Sequence, residues 1–303
     1  MCAIVVVASA LLVGSPAAQQ FSDWSTPENL GPAINSPSNE QHPAISPDGL
    51  SLYFSSDRPG GSGGFDLWVA HRATPTSPWQ VPVAIDALNS PSSEFAPAFD
   101  PSGQWLFFGS ERDGGCGGRD LWLSYRYDKR NDLGWKAPIN LGCGLSWPGF
   151  DDGPTYFREK GKSGLGTLFF ISDRPGGVGG RDVWMVSHRD GEAFSAAVNV
   201  TELNSIADDS RPAVRSDGLE FFVTSQRAGS ILLGTTPSSD IWMSRRSSTA
   251  VAWSAVVNLS SLNTSATEAG PALSADGLTM IFASNRPGGQ GALDLYVTTR
   301  ARN

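Results

Sequence analysis

Apolar residues in this chain come in short runs, and each run is broken by Gly, Pro or Asp. The clearest stretch covers residues 42–72, HPAISPDGLSLYFSSDRPGGSGGFDLWVAHR. A first apolar run at 43–46 meets Pro-Asp-Gly, a turn in which the Asp side chain caps its own backbone and Gly accepts a positive φ. The chain must reverse there. A second run, 52–56, ends in a Gly-rich loop, and a third, 66–71, carries Trp68 two residues after Asp66. Short runs bounded by turn signals predict antiparallel strands.

The unit recurs five times, and a fixed repeat of this length is the signature of a modular fold. The second copy reads APAFDPSGQWLFFGSERDGGCGGRDLWLSYR from Ala96, and the fifth reads GPALSADGLTMIFASNRPGGQGALDLYVTTR from Gly270. The third keeps TLFFISDRPGGVGGRDVWMVSHR, and the fourth keeps RPAVRSDGLEFFVTSQR and DIWMSRR. Asp66, Asp120, Asp182, Asp240 and Asp294 match, in steps of 54, 62, 58 and 54 residues. The aromatics two places on, Trp68, Trp122, Trp184, Trp242 and Tyr296, are expected to pack between repeats. Between units lies a fourth strand pattern, as in SPWQVPVAI and GWKAPINLG, and four strands per unit make a propeller blade.

The ends of the repeat array are out of phase. Fourth-strand sequence, DWSTPENLG, stands at 23–31 ahead of any first strand, while the last unit stops after its third strand at Arg300. Pairing the two would complete the fifth blade and remove two exposed sheet edges. The expected fold is therefore all-β: one five-bladed β-propeller over residues 19–303, four antiparallel strands per blade, closed by its N-terminal strand.

The S-P-D-G turn, the S-D-R-P-G-G loop and the D-L-W strand resemble the WD-repeat-like propeller units of TolB-type periplasmic proteins, over essentially all of the repeat array. That resemblance implies an exported binding or scaffolding propeller. The chain departs from the TolB pattern in having five blades rather than six and no additional domain.

Composition agrees with many short strands: 34 Gly, 21 Pro and 10 Trp, with a hydrophobic fraction of 40% that suffices for a core. The apolar run at 3–13 followed by Gly14, Ser15, Pro16, Ala17 and Ala18 reads as a secretory signal peptide over 1–18, too short for a bilayer span. Export to the periplasm or the medium follows, and no transmembrane segment is expected. Cys116 and Cys143 then remain, on loops that share one rim, and are expected to form a disulfide. A formal net charge of −8 argues against nucleic acid and anionic membranes as partners. Two thiols are too few for zinc, and no phosphate or dinucleotide loop is present, so neither metal nor cofactor is expected.

Propeller topology places the loops between second and third strands on the same face as the connections between blades. That face gathers one carboxylate per blade, Glu40, Glu94, Asp151, Asp209 and Glu268, and one arginine per blade, Arg58, Arg112, Arg174, Arg227 and Arg286. A ring of carboxylates at the channel mouth suits a cation or acid–base work on a glycosidic bond. A residue repeated in every blade, however, serves something each blade needs, and Arg forked onto a neighbouring acid locks loop to loop. The repeated Arg and the five motif Asp residues are read as structural.

Chemistry is better sought where the repeat breaks. FREKGKSGLG in copy three is an insertion on the opposite face, and AGSILLGTTPSS in copy four exposes or buries Ile231, Leu232 and Leu233. CGLSWPGFDD between blades two and three carries Trp147 beside Asp151 and Asp152, a stacking surface next to acceptors. With His42 and Arg211 these residues, and the acidic ring, are the candidates for ligand contact. The leading expectation is a non-enzymatic module that binds or scaffolds a protein, peptide or glycan; the alternative is a carbohydrate-active enzyme with carboxylates at the central channel. A third is a structural part of a larger envelope assembly. A catalytic ring requires at least two carboxylates free of arginine, and nothing in the pattern specifies an oligomeric state.

Overall fold

The computed structural model describes residues 21–159, 161 and 164–303. The expected signal peptide, 1–18, lies outside them. Five four-stranded antiparallel sheets form the blades. From the channel outward, blade one is Glu40–Ile45, Ser51–Ser56, Asp66–His71 and Val83–Ala84; blade two is Glu94–Phe99, Trp105–Ser110, Asp120–Tyr125 and Ile139–Asn140. Blade three is Asp151–Arg158, Leu165–Ser172, Asp182–Arg189 and Val198–Asn199; blade four is Asp209–Val214, Glu220–Ser225, Asp240–Arg245 and Val257–Asn258. Blade five takes Glu268–Leu273, Thr279–Ser284 and Asp294–Thr299 from the end of the chain and Glu28–Asn29 from its beginning.

Closure is the predicted one. Glu28 pairs with Val297 and Asn29 with Tyr296, antiparallel. Ser25 extends the seam with its N–H on the Thr299 carbonyl at 2.7 Å, and its own carbonyl accepts the Thr298 hydroxyl at 2.6 Å. The ring therefore leaves no open edge between first and last blades.

Two details differ from the pattern. Each inner strand starts at the ring carboxylate, three residues ahead of the apolar run, because a bulge lets the strand pair on both sides of an irregular step: Glu40 faces Ser56, Gln41 faces Ser55, and pairing resumes at Ala44 with Tyr53. The outer strands are only two residues long. What anchors the outer segments instead is a tryptophan under an arginine. Arg72, Arg126, Arg246 and Arg300 stack on Trp79, Trp135, Trp253 and Trp24 with the guanidinium 4.0–4.6 Å from the ring. The Nε of each donates to the carbonyl of the turn glycine, Gly49, Gly103, Gly218 or Gly277. Blade three departs: its first three strands are eight residues long, and Arg158 at the end of the first forms an exposed ion pair with Asp190, just past the end of the third.

The core is a set of wedges between blades. Trp68, Trp122, Trp184, Trp242 and Tyr296 are each at most 7% exposed and pack on strands of the same and the preceding blades. Each motif Asp shapes its Gly-rich loop from within the blade: Asp66 accepts the N–H groups of Ser62 and Gly63. Only glycine fits beside it, since a Cβ at Gly61 would sit 1.9 Å from Asp66 Oδ2. Cys116 and Cys143 are joined in a disulfide that ties the Gly-rich loop of blade two to the exit toward blade three.

Candidate functional site at the mouth of the central channel

The first residue of every inner strand is a carboxylate with no exposure: Glu40, Glu94, Asp151, Asp209 and Glu268. Each is ion-paired to the arginine of its own blade, Arg58 at 2.8 Å, Arg112 at 3.1 Å, Arg174 at 2.8 Å, Arg227, and Arg286 at 3.1 Å. Their remaining acceptor positions are also filled. Glu40 takes the N–H and hydroxyl of Ser36 and the hydroxyl of Ser56. Glu94 does the same with Ser90 and Ser110. The arginine reaches on to the carbonyl that enters the blade, Ile34, Leu88, Leu145, Leu203 or Leu262. Burial pushes the carboxyls of Glu40 and Asp151 up, and the hydrogen bonds and arginine charge only partly offset it. No ring carboxylate is free to attack or to protonate a substrate, so the condition for a catalytic ring is not met.

Two residues further along the same strands the picture changes. His42, Ala96, Gly153, Arg211 and Gly270 all adopt positive φ, between 50° and 65°, at the bulge that points one residue per blade into the channel. Among the described residues His42, Ala96 and Arg211 are the non-glycine positions with this conformation. It costs an L-residue roughly 1–2 kcal/mol. The prolines that follow, Pro43, Pro97, Pro154, Pro212 and Pro271, narrow the channel to a waist. Below it opens an apolar funnel walled by Ala44, Phe99, Tyr156, Phe157 and Leu273.

Above the waist lies a polar cavity of about 210 Å³, bordered by His42, Arg211, Gln41, Gln226, Arg181 and Asp208. His42 is 4% exposed, and neither ring nitrogen has a hydrogen-bond partner among the described residues. Phe95 meets its imidazole edge-on at 5.9 Å. Arg211 has no neighbouring carboxylate to offset desolvation, which pushes its guanidinium down to about 10 and still leaves it a cation at neutral pH. Asp208 is exposed and accepts the Arg181 N–H at 3.0 Å, while the Arg181 guanidinium stacks 4.2 Å from Phe150.

Between blades two and three, Asp152 is ion-paired through one oxygen to Arg119, and its other oxygen is buried without a partner. Arg119 also holds Glu111 at 2.7 Å and lies 3.6 Å over Phe95. Trp147 is 38% exposed on the rim, and its backbone N–H is bound by Asp151. Leu232 and Leu233 form part of a small exposed hairpin with Thr236–Pro237. The cavity thus brings His42 and Arg211 together, keeps Trp147 outside its lining, and adds Arg181, Asp208, Gln41 and Gln226, which pattern reading passed over. A signal existed: the residue before the ring carboxylate is Asn39, Ser93, Phe150, Asp208 or Thr267, so it varies where its neighbour does not. Among the described residues no group of three or more His, Cys, Asp or Glu is arranged to hold a metal ion.

No known family matches the chain, and no curated protein matches it in sequence. Solved structures do match over almost its whole length. The catalytic domain of the Coprinopsis cinerea GH62 α-L-arabinofuranosidase is 14% identical, with 94% of this chain and 98% of that chain covered and a TM-score of 0.59. An α-L-arabinofuranosidase from Lactobacillus brevis is 11% identical over 89% and 92% of the two chains, with a TM-score of 0.54. A structure described as TolB, from Agrobacterium tumefaciens, is 13% identical over 94% and 99%, at a TM-score of 0.48, too low to support the finer TolB-type relationship. At these identities the likeness is one of fold, the five-bladed propeller. It nonetheless corrects the expectation of a non-enzymatic binding or scaffolding module, because similar solved structures include GH62 and family-43 glycoside hydrolases, the company the enzymatic alternative calls for.

Proposed function

We propose that this chain is a carbohydrate-active enzyme of the glycoside-hydrolase kind, taking its saccharide at the channel mouth above His42 and Arg211. The observation that carries the reading is the polar cavity at the channel mouth, where neither ring nitrogen of His42 has a partner among the described residues, on a fold shared with arabinofuranosidases, a xylosidase and an arabinanase. Hydroxyls and amides around it, from Ser210, Gln41 and Gln226, offer the directed bonds a sugar ring needs. Glycoside hydrolysis uses a pair of carboxyl groups. The ring acids are engaged by arginine and by neighbouring donors, so the pair is sought just outside the ring, in Asp208 on the cavity wall and in Asp152, which is paired to Arg119 through one oxygen but keeps the other without a partner. The N-terminal apolar run supports export to the periplasm or medium, where polymeric glycans are met.

The test is release of reducing sugar from arabinose- and xylose-containing glycans by the full chain, compared with Asp208→Asn and Asp152→Asn. Turnover by the parent protein, reduced 100-fold or more in at least one variant, is the expected result. A parent protein inert on the whole set, or hydrolysis indifferent to both changes, removes the reading.

A further inference from the structure

Nine arginines around and beneath the channel mouth are matched to acids. The five motif arginines and Arg119 on this face, and Arg126, Arg215 and Arg300 beneath it, each touch a carboxylate. Arg211 does not. A chain with 30 Asp and Glu against 22 Lys and Arg has placed none of that excess beside it. The side chain is also held where the backbone resists it, in the left-handed region at φ 52°, although blades three and five use glycine at the same position. His42, at φ 53°, is under the same constraint.

Small neighbours let the two approach one space. A Cβ on Gly270 would lie 3.5 Å from Arg211 Cδ and 3.6 Å from the His42 backbone, so the glycine sits between them. Gly153 and Ala96 complete the waist without filling it. The result is a cavity of about 210 Å³ bordered by Arg211 and His42, the imidazole buried with neither nitrogen partnered among the described residues. That volume equals roughly seven liquid waters at ~30 Å³ each, room for one sugar ring. Arg181 adds a second cation at the rim, and Asp208 is the one carboxylate on the wall.

We infer that the cavity binds a saccharide through a negatively charged group, the carboxylate of a uronic acid, seated between Arg211 and His42. The planar guanidinium matches a carboxylate with two parallel donors, and the unpartnered imidazole supplies a third. Hydroxyl and amide groups around the cavity hold the rest of the ring. The inference rests on the reading of this site as a saccharide site and specifies its substrate class. A sulfate ester or free sulfate shares the oxyanion chemistry, so the experiment separates them.

Titration calorimetry with the full chain would compare a glucuronate-bearing xylo-oligosaccharide, its methyl ester, and inorganic sulfate. Binding of the acid at least tenfold tighter than the ester or sulfate is expected, with the preference lost in Arg211→Gly, reduced in His42→Gly and partly kept in Arg211→Lys. Gly is the native residue in two blades, so both glycine variants should fold, which their melting temperatures check. Equal affinity for acid and ester, a preference that survives in Arg211→Gly, or sulfate binding as tightly as the acid overturns the proposal. Selective binding without any hydrolysis would defeat the enzymatic reading and leave this one standing; hydrolysis of neutral glycans with no preference for the acid would do the reverse.

Discussion

Two rings lie two residues apart on the same five inner strands, and they obey different rules. The upper one is Glu40, Glu94, Asp151, Asp209 and Glu268, uniform in charge, buried, and saturated by arginines and neighbouring donors. The lower one is His42, Ala96, Gly153, Arg211 and Gly270, uniform only in backbone conformation. Uniform chemistry marks a joint that each blade needs to fasten the loop that follows it. Uniform backbone with divergent side chains marks a position that the fold supplies, and it carries a large polar side chain in two blades of five.

The comparison breaks most directly at the upper ring. Glu94→Ala leaves Arg112 half-buried beside an empty socket and exposes the Ser90 and Ser110 donors to no acceptor. A loss of about 3–5 kcal/mol is expected, read from the urea midpoint. A loss below about 1 kcal/mol would mean that the ring is not what fastens the blades.

A buried acid at the other end of the blades responds to pH in the opposite sense from Glu40 and Asp151. Burial raises the Glu220 carboxyl, but hydrogen bonds and charge from Arg300, with charge from Arg215 and Arg245, outweigh it and hold it below the ordinary 4.5. The folded carboxylate therefore stays ionised where the unfolded one takes a proton, so its stabilisation is full above pH 4.5 and fades as the pH falls through the lower folded value. Glu40, raised by burial, adds stability on the acid side, and that share fades as pH climbs from 4.5 to its folded value. Urea unfolding between pH 3 and 7 should show acid lability that flattens in Glu220→Gln. That variant also loses on the order of 3 kcal/mol at pH 7, because Arg300 keeps its burial without its partner.

At the lower ring Arg211→Gly should leave stability within about 0.5 kcal/mol or raise it, since relief of the left-handed conformation offsets the greater entropy of the unfolded glycine chain. Ligand preference should vanish in the same variant. The variant with no expected effect on binding is the cleanest control: Ala96→Gly removes the same backbone strain at a position outside the proposed ligand contacts. A gain of up to ~1 kcal/mol with unchanged ligand binding is expected from thermal melts and calorimetry. Destabilisation by Ala96→Gly would show that the positive φ at this ring costs nothing, and would weaken the argument that His42 and Arg211 are retained for their side chains.

Blade number, strand order and the joining of 28–29 to the last blade follow from patterns that lie within one repeat or compare one repeat with the next. Turn chemistry at Asp48-Gly49, the short buried apolar run of each strand and the phase of the two ends are local quantities, and local quantities are written in consecutive residues. The site was legible only in part. His42 and Arg211 could be picked out as departures from the repeat, but their left-handed backbone arises from a bulge between two paired strands and has no mark of its own in the residues. Arg181 and Asp208 come to the channel from opposite ends of a blade connection, 27 residues apart, and meet through a backbone hydrogen bond.

Amino-acid order alone thus determined the architecture, because strands and turns are decided by neighbours a few places away. Which carboxylates are spent in ion pairs, which cation stands without one, and where the channel keeps room for a ligand were decided only by tertiary structure. Those facts depend on groups from different blades meeting in a low-dielectric interior, where burial and distance, and not residue type, set whether a charge is satisfied.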